Sequence, residues 1–225
     1  MTRLAVFDCD GTLVDSGHTI HFALSEAFAR HDRAVPPQPE AKRVVGLSLN
    51  EAMAFLAPEA GAAEHAALAA TYRDVFIGLR ARGQVEEPLF DGILPLLDAF
   101  EADGWLLAVA TGKSDRGLHH CLTGHELHGR FVSLQTADRH PSKPHPAMAL
   151  AAMQEAGAEA AQTVVIGDTG WDMGMAKNAG AKAIGALWGY HDGAELKLGG
   201  ADVLARAPNE VLALATSLIG ERVDE

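Results

Sequence analysis

The sequence predicts an α/β fold, a Rossmann-like doubly wound parallel sheet with an α-helical block inserted after its first strand. Three observations predict it. From Pro88 onward, short apolar runs alternate with amphipathic stretches, the pattern of strand–helix–strand crossovers and so of a parallel sheet. One apolar run, Leu4-Ala5-Val6-Phe7, stands alone far upstream of that alternation. Between the two lies an Ala-rich region with no strand-like run. The expected division is therefore a discontinuous α/β unit, residues 1–14 and 86–225, interrupted by a helical unit over 15–85.

Each element has its own signal. Leu4 to Phe7 is too short for a helix and is bounded by polar residues, as a buried strand is. Ile20, Phe22, Leu24, Ala27 and Phe28 give a helix over about His18 to His31. Three prolines within Val35 to Pro39 end it. Helical texture then runs to about Arg82, broken near Lys42 to Ser48, and Gly83 to Pro88 reads as a polar linker. Next come a helix over Ile93 to Ala102, a strand over Leu106 to Ala110 and a helix to about Leu122. A short strand is expected over Phe131 to Leu134, then a Pro-rich loop, His140 to Pro146, and a helix over Ala147 to Ala156. The remaining elements are strands at Thr163–Ile166, Ala183–Leu187 and Ala201–Leu204, and helices over Met173 to Ala179 and Pro208 to Ile219.

An apolar content of 48% with 21% charged residues suits a soluble globular protein. The formal charge of −12 argues against nucleic acid or an anionic membrane as the main partner. No apolar run is long enough for a membrane span, and the N-terminal residues lack the pattern of a secretion signal. Cys9 and Cys121 match no metal spacing, so reduced thiols and a cytoplasmic location are expected. Cys9 reads as a small buried apolar residue.

The chemistry gathers where strands end. Asp8 and Asp10 follow the first strand at spacing i, i+2, which puts both side chains on one side of an extended chain. Thr111 ends a second strand, and Asp168 and Asp172 follow a third. In a parallel sheet these carboxyl ends converge on one rim, where open α/β sheets bind ligands. Four carboxylates there, joined by Lys143 from the Pro-rich loop, make a hard-oxygen site suited to Mg²⁺. Thr111-Gly112 is expected to open a helix and so to offer a hydroxyl and backbone N–H groups to an anion. Acidic metal ligands, an anion cradle and a lysine together suit phosphoryl transfer. Taken singly, each group has a plainer reading: turn residues at Asp8 to Thr12, an N-cap at Thr111, a solvated lysine at Lys143, helix-start carboxylates at Asp168 and Asp172.

Four motifs in this order resemble the haloacid dehalogenase superfamily, phosphatase branch, with an α-helical cap: D-C-D-G-T-L-V-D-S from Asp8, T-G-K from Thr111, K-P-H-P from Lys143 and G-D-T-G-W-D-M from Gly167. The stretch from Asn178 through His191 further resembles the phosphoglycolate-phosphatase-like subgroup. The resemblance implies that Asp8 is the nucleophile and Asp10 the general acid and base. It implies that Thr111, with Gly112, holds the phosphoryl oxygens and that Lys143 offsets their charge. Asp8, Asp168 and the carbonyl of Asp10 would bind Mg²⁺, with Asp172 touching the ion or a ligand of it. Dehalogenases and phosphonate hydrolases lack an aspartate at the position of Asp10, so phosphate monoesters are the expected substrates, phosphoglycolate-like ones first. A phosphomutase, which keeps both aspartates, is the alternative. A non-catalytic phospho-ligand-binding regulator would be expected to have lost one of them. Residues 15–85 would be the cap, with Arg43 reaching the substrate and Lys42 its nearest competitor. The partner implied is a small phosphorylated metabolite, and the chain is expected to be a monomer or homodimer. The histidines match no ligand spacing.

Overall fold

In a computed structural model, which describes residues 1–220, six strands form one sheet. They are β1 (Leu4–Phe7), β2 (Leu106–Thr111), β3 (Ser133–Thr136), β4 (Thr163–Gly167), β5 (Lys182–Ala186) and β6 (Val203–Ala205). Their order is β3-β2-β1-β4-β5-β6, and every pairing is parallel. The central β1 lies between β2 and β4, so the order reverses there, and a crevice opens outside the carboxyl ends at that point. The last five residues of the expected α/β unit lie outside the described residues.

Ten α-helices accompany the sheet among the described residues. Four lie between β1 and β2: α1 (Gly17–Arg30), α2 (Gln38–Arg43), α3 (Leu49–Leu56) and α4 (Ala62–Ala81). Then come α5 (Ile93–Ala102), α6 (Asp115–Gly124), α7 (Ala147–Ala156), α8 (Gly170–Asn178), α9 (Gly193–Gly199) and α10 (Val211–Gly220). Strand periodicity sorts the core into two layers. Ala5, Phe7, Leu107, Val109 and Ile166 face Ile93, Leu97 and Phe100 of α5 and Leu118 of α6. Leu4, Val6, Ala108, Ala110 and Val165 face Met148 and Ala152 of α7 and Met173 and Ala176 of α8. Both faces of the sheet are thus covered, which is why its strands read as continuous apolar runs rather than alternating ones.

The helices from α1 to α4 bury small apolar clusters of their own. Leu24 and Phe28 meet Met53 and Leu68, while Ala23 meets Val75 and Leu79. The two chain segments that join this insert to the sheet run side by side. The Asp15 N–H donates to the Pro88 carbonyl at 2.8 Å, and the Phe90 N–H donates to that of Leu13 at 3.1 Å. No described helix is long and apolar enough to cross a membrane.

Three elements differ from expectation. β3 starts two residues later than the apolar run, because its polar residues are buried and bonded. Gln135 donates to Ser133 Oγ at 2.7 Å, and Thr136 donates to Asp115 at 2.7 Å. β6 is likewise displaced toward its C-terminus, to Val203–Ala205. The short helix α9 lacks an apolar stripe that would announce it, but it carries a capping box. Asp192 accepts from the N–H of Glu195 while Glu195 accepts from that of Asp192.

Candidate active site at the carboxyl rim

Sheet register alone brings the acidic residues together. Phe7 pairs with Val109 on one side and Ile166 on the other, so Asp8 steps off the sheet one residue beyond, near Thr111 and Asp168. Asp8, Thr111, Lys143, Asp168 and Asp172 are all buried, each 1% exposed or less, and Asp10 is 7% exposed. Gly11 permits this crowding: at φ +86° it turns the chain sharply, and a Cβ there would lie 2.1 Å from Asp168 Oδ2.

Lys143 is the hub of the first ion group. Its ammonium donates to Asp172 Oδ1 at 2.6 Å and lies 2.9 Å from Asp8 Oδ1. Burial alone would lower its pKa, but Asp172 and then Asp8 hold it above the usual lysine range. Asp8 Oδ1 also accepts the Cys9 N–H at 2.7 Å. Its other oxygen, Oδ2, is the one buried side-chain polar atom with no hydrogen-bond partner among the described residues. Burial raises the Asp8 carboxyl to about 7, with Lys143 pulling it down and Asp172 pushing it up. Asp168 is raised well above the carboxylate range, by burial and then by Asp172 and Asp8.

Such repulsion among buried carboxylates is what a cation relieves. Asp8, Asp168 and Asp172 each present an oxygen within 4.8 Å of the other two. An all-oxygen set with one orphaned oxygen fits a hard divalent ion such as Mg²⁺. The three do not fit equally. Asp172 has both oxygens engaged, Oδ1 by Lys143 and Oδ2 by the backbone and hydroxyl of Thr169 at 3.1 and 2.6 Å. Asp168 is steadied by the Thr12 hydroxyl at 2.7 Å and the Tyr190 N–H at 2.9 Å. Asp8 alone has an unengaged oxygen.

Asp10 turns elsewhere. Its carboxylate accepts a hydrogen bond from Ser16 Oγ and lies 2.8 Å from Lys113 Nζ. Lys113 in turn donates to Glu87 at 2.6 Å, and Glu87 is 3.1 Å from Arg80. Burial opposes the charge on Lys113, but Asp10 and Glu87 hold its pKa well above the ordinary range. Glu87 is lowered against its burial by Lys113 and then Arg80. This second ion group runs from the rim, through the linker after α4, to the end of α4.

Two expectations are corrected here. Thr111 does not open a helix: α6 begins at Asp115, with Ser114 as its N-cap. Thr111 Oγ1 instead accepts the Lys113 N–H at 3.2 Å within a turn. Arg43 does not reach the site. Its half-exposed guanidinium pairs with Glu195 at 2.8 Å, because α2 ends there and the chain turns inward only beyond it, at Gly46 (φ +90°). Backbone rather than a side chain faces the rim: a Cβ on Gly112 would lie 2.5 Å from the Leu47 carbonyl oxygen and 2.8 Å from that of Gly46. Lys42 lies over the Tyr190 ring.

The family model described as haloacid dehalogenase-like hydrolase matches residues 5–186. The chain belongs to the haloacid dehalogenase-like hydrolase family. A Dickeya dadantii protein named probable phosphatase IndB is 33% identical over 97% of this chain and 96% of its own length. A Rhodospirillum rubrum protein named phosphoglycolate phosphatase is 32% identical over 84% of this chain and 81% of its own. Among solved structures, a haloacid dehalogenase-like hydrolase from Streptococcus pneumoniae superposes with a TM-score of 0.81, at 27% identity over 95% of this chain and 98% of that one. As a family member the protein is an enzyme, a hydrolase, with a Rossmann-like α/β core. Glu87, Ser16, Thr12 and Thr169 were not singled out in the sequence. Thr12, Ser16 and Thr169 lie within the quoted motifs, and Thr169 also has the capping-box spacing to Asp172, whereas Glu87 carries no local signal.

Proposed function

We propose that the protein is a cytoplasmic, Mg²⁺-dependent phosphatase that hydrolyses small phosphate monoesters through an aspartyl-phosphate on Asp8. The observation that carries this reading is the asymmetry of Asp8. One oxygen is tied to Lys143 and the Cys9 N–H, while the other is buried and has no partner. Pinned in this way, the carboxylate is held in one orientation, as a nucleophile aimed at phosphorus must be.

Lys143 offsets the charge of nucleophile and phosphoryl group, and Asp172 orients Lys143. Thr111 and Gly112 bind phosphoryl oxygens. Asp10, two residues on, protonates the leaving oxygen and then takes a proton from the attacking water. Asp8, Asp168 and the carbonyl of Asp10 would hold Mg²⁺, which neutralises phosphoryl charge when bound. Residues 15–85 act as a cap whose Gly46-Leu47 backbone closes over Gly112 and excludes bulk water.

The names of the relatives make phosphoglycolate the first compound to assay. Purified protein with Mg²⁺ should release inorganic phosphate from a panel of monoesters, EDTA should abolish release, and added Mg²⁺ should restore it. Asp8→Asn should lower kcat by about 10⁴-fold or more with the fold retained. Full activity in chelator, or an isomerised ester in place of free phosphate, would overturn the assignment.

A further inference from the structure

Between the insert and the sheet lies a cavity of about 540 Å³. The two-carbon glycolate would leave most of it wet. Volumes of this order accommodate ligands well beyond such a fragment.

Direction matters as much as volume. Asp10, Gly112 and Lys113 line the cavity, whereas Asp8 lies outside its lining. As Asp8 forms its bond to phosphorus, the bond from phosphorus to the leaving oxygen breaks. That oxygen takes the proton of Asp10, and the neutral alcohol departs on the Asp10 side. It therefore projects into this cavity.

The lining is mixed. The insert presents Ile20, Leu24, Tyr72, Phe76 and Ile77 together with Arg73 and Arg80, and α6 presents Arg116 and His120. Tyr72 and Phe76 stand 5.7 Å apart between ring centroids, tilted by 36°. Ile77 leaves 46% of its surface exposed at this wall. An aromatic pair with an aliphatic side chain beside it, and with the Arg80 guanidinium 5.7 Å from the Phe76 ring centroid, offers flat ring faces to pack on.

We infer that the ester hydrolysed by this protein carries a ring-bearing alcohol, seated against the Tyr72–Phe76 wall. The inference rests on the phosphatase reading above. In each turnover the alcohol leaves with the Asp10 proton; water then gives a proton to Asp10 as its oxygen joins phosphorus and the bond from phosphorus to Asp8 breaks, releasing inorganic phosphate and the Asp8 carboxylate.

Phenyl phosphate and 2-naphthyl phosphate test it, because their leaving phenols have similar acidity and differ mainly in apolar area. The second fused ring buries on the order of 50 Å² more, so kcat/KM should favour the naphthyl ester by about tenfold. Phe76→Ala and Ile77→Asp should each bring that ratio below about threefold. The ratio does not depend on the folded fraction, so a loss of stability in either variant leaves the comparison intact. Equal rates on the two aryl esters in the wild type, an unchanged ratio in both variants, or phosphoglycolate surpassing both would overturn the inference while leaving the phosphatase reading in place. Absence of Mg²⁺-dependent phosphate release from all three would remove that reading, and the inference with it.

Discussion

Two buried lysines serve the two aspartates of the first motif, and their surroundings differ in one respect. Lys143 bridges Asp8 and Asp172, both of which follow strands of the sheet. Lys113 bridges Asp10 and Glu87, and Glu87 is bound to Arg80 at the end of a helix of the insert. Asp8, the proposed nucleophile, is thus held by groups of the α/β unit, whereas Asp10, the proposed acid and base, is held through a chain of charges that reaches the insert. A buried ion pair is a poor source of net stability but a strong constraint on geometry, since removing one partner strands the other. On the proposed roles, the contrast puts the insert's influence on the proton-transfer step and the leaving alcohol more than on nucleophile placement.

The largest effect that would test this contrast is expected from Lys143→Met. It should lower kcat by about 10²- to 10³-fold, as loss of a charge-stabilising donor does. It should also destabilise the metal-free protein by about 3–5 kcal/mol, because Asp8 and Asp172 then face each other unpaired. Urea unfolding in EDTA, paired with kinetics in saturating Mg²⁺, measures both. A smaller effect is expected from Glu87→Gln, which leaves Lys113 in contact with Asp10 but unties it from the insert. Loss of one charged hydrogen bond corresponds to roughly a tenfold fall in kcat. Equal losses for the two variants would erase the distinction between the lysines.

The third prediction concerns pH. The carboxyls of Asp8, raised to about 7, and of Asp168, raised well above the carboxylate range, bind protons more tightly in the folded chain than in the unfolded one. Their contribution to stability is full below about pH 4 and is lost as pH rises through 7. Metal-free protein should therefore lose stability over that window, and Mg²⁺ should raise Tm more at pH 8 than at pH 5. Asp168→Asn should flatten the decline, and scanning calorimetry at fixed ionic strength reads both slopes. A Tm gain from Mg²⁺ independent of pH would contradict the cluster as the ion's site.

Much of the rim was legible in the sequence because parallel strands deliver their ends to one place. Asp8, Thr111 and Asp168 needed only three short apolar runs to be set side by side, and Lys143 was reached through its motif. What stayed illegible has a common physical cause, contact across long separations with no periodic signal. Glu87 looks like one acid in a polar linker, and its meeting with Lys113 depends on how the segment after α4 folds back along residues 13–15. Arg43 was misplaced for the related reason that a charge in a loop does not reveal which way the loop faces. Beyond it, Gly46 and Leu47 turn main-chain atoms toward Gly112, and main chain leaves no mark on a charge pattern. β3 was displaced because buried polar residues that satisfy one another look, in sequence, like surface.

Trp171 sits where the two units touch. Its indole N–H donates to the carbonyl of Arg43 at 3.0 Å, and its ring meets Phe55 of α3 edge to face, 6.5 Å between centroids. The other indoles are anchored within the sheet unit and its nearest loop: Trp105 stacks on Phe100, and Trp188 bonds the carbonyl of Thr12 at 3.1 Å. Any movement of the insert against the sheet unit would therefore change the surroundings of Trp171 and leave those of the other two indoles in place. A change in emission on substrate binding that Trp171→Phe removes would report such a movement in stopped flow without any attached dye.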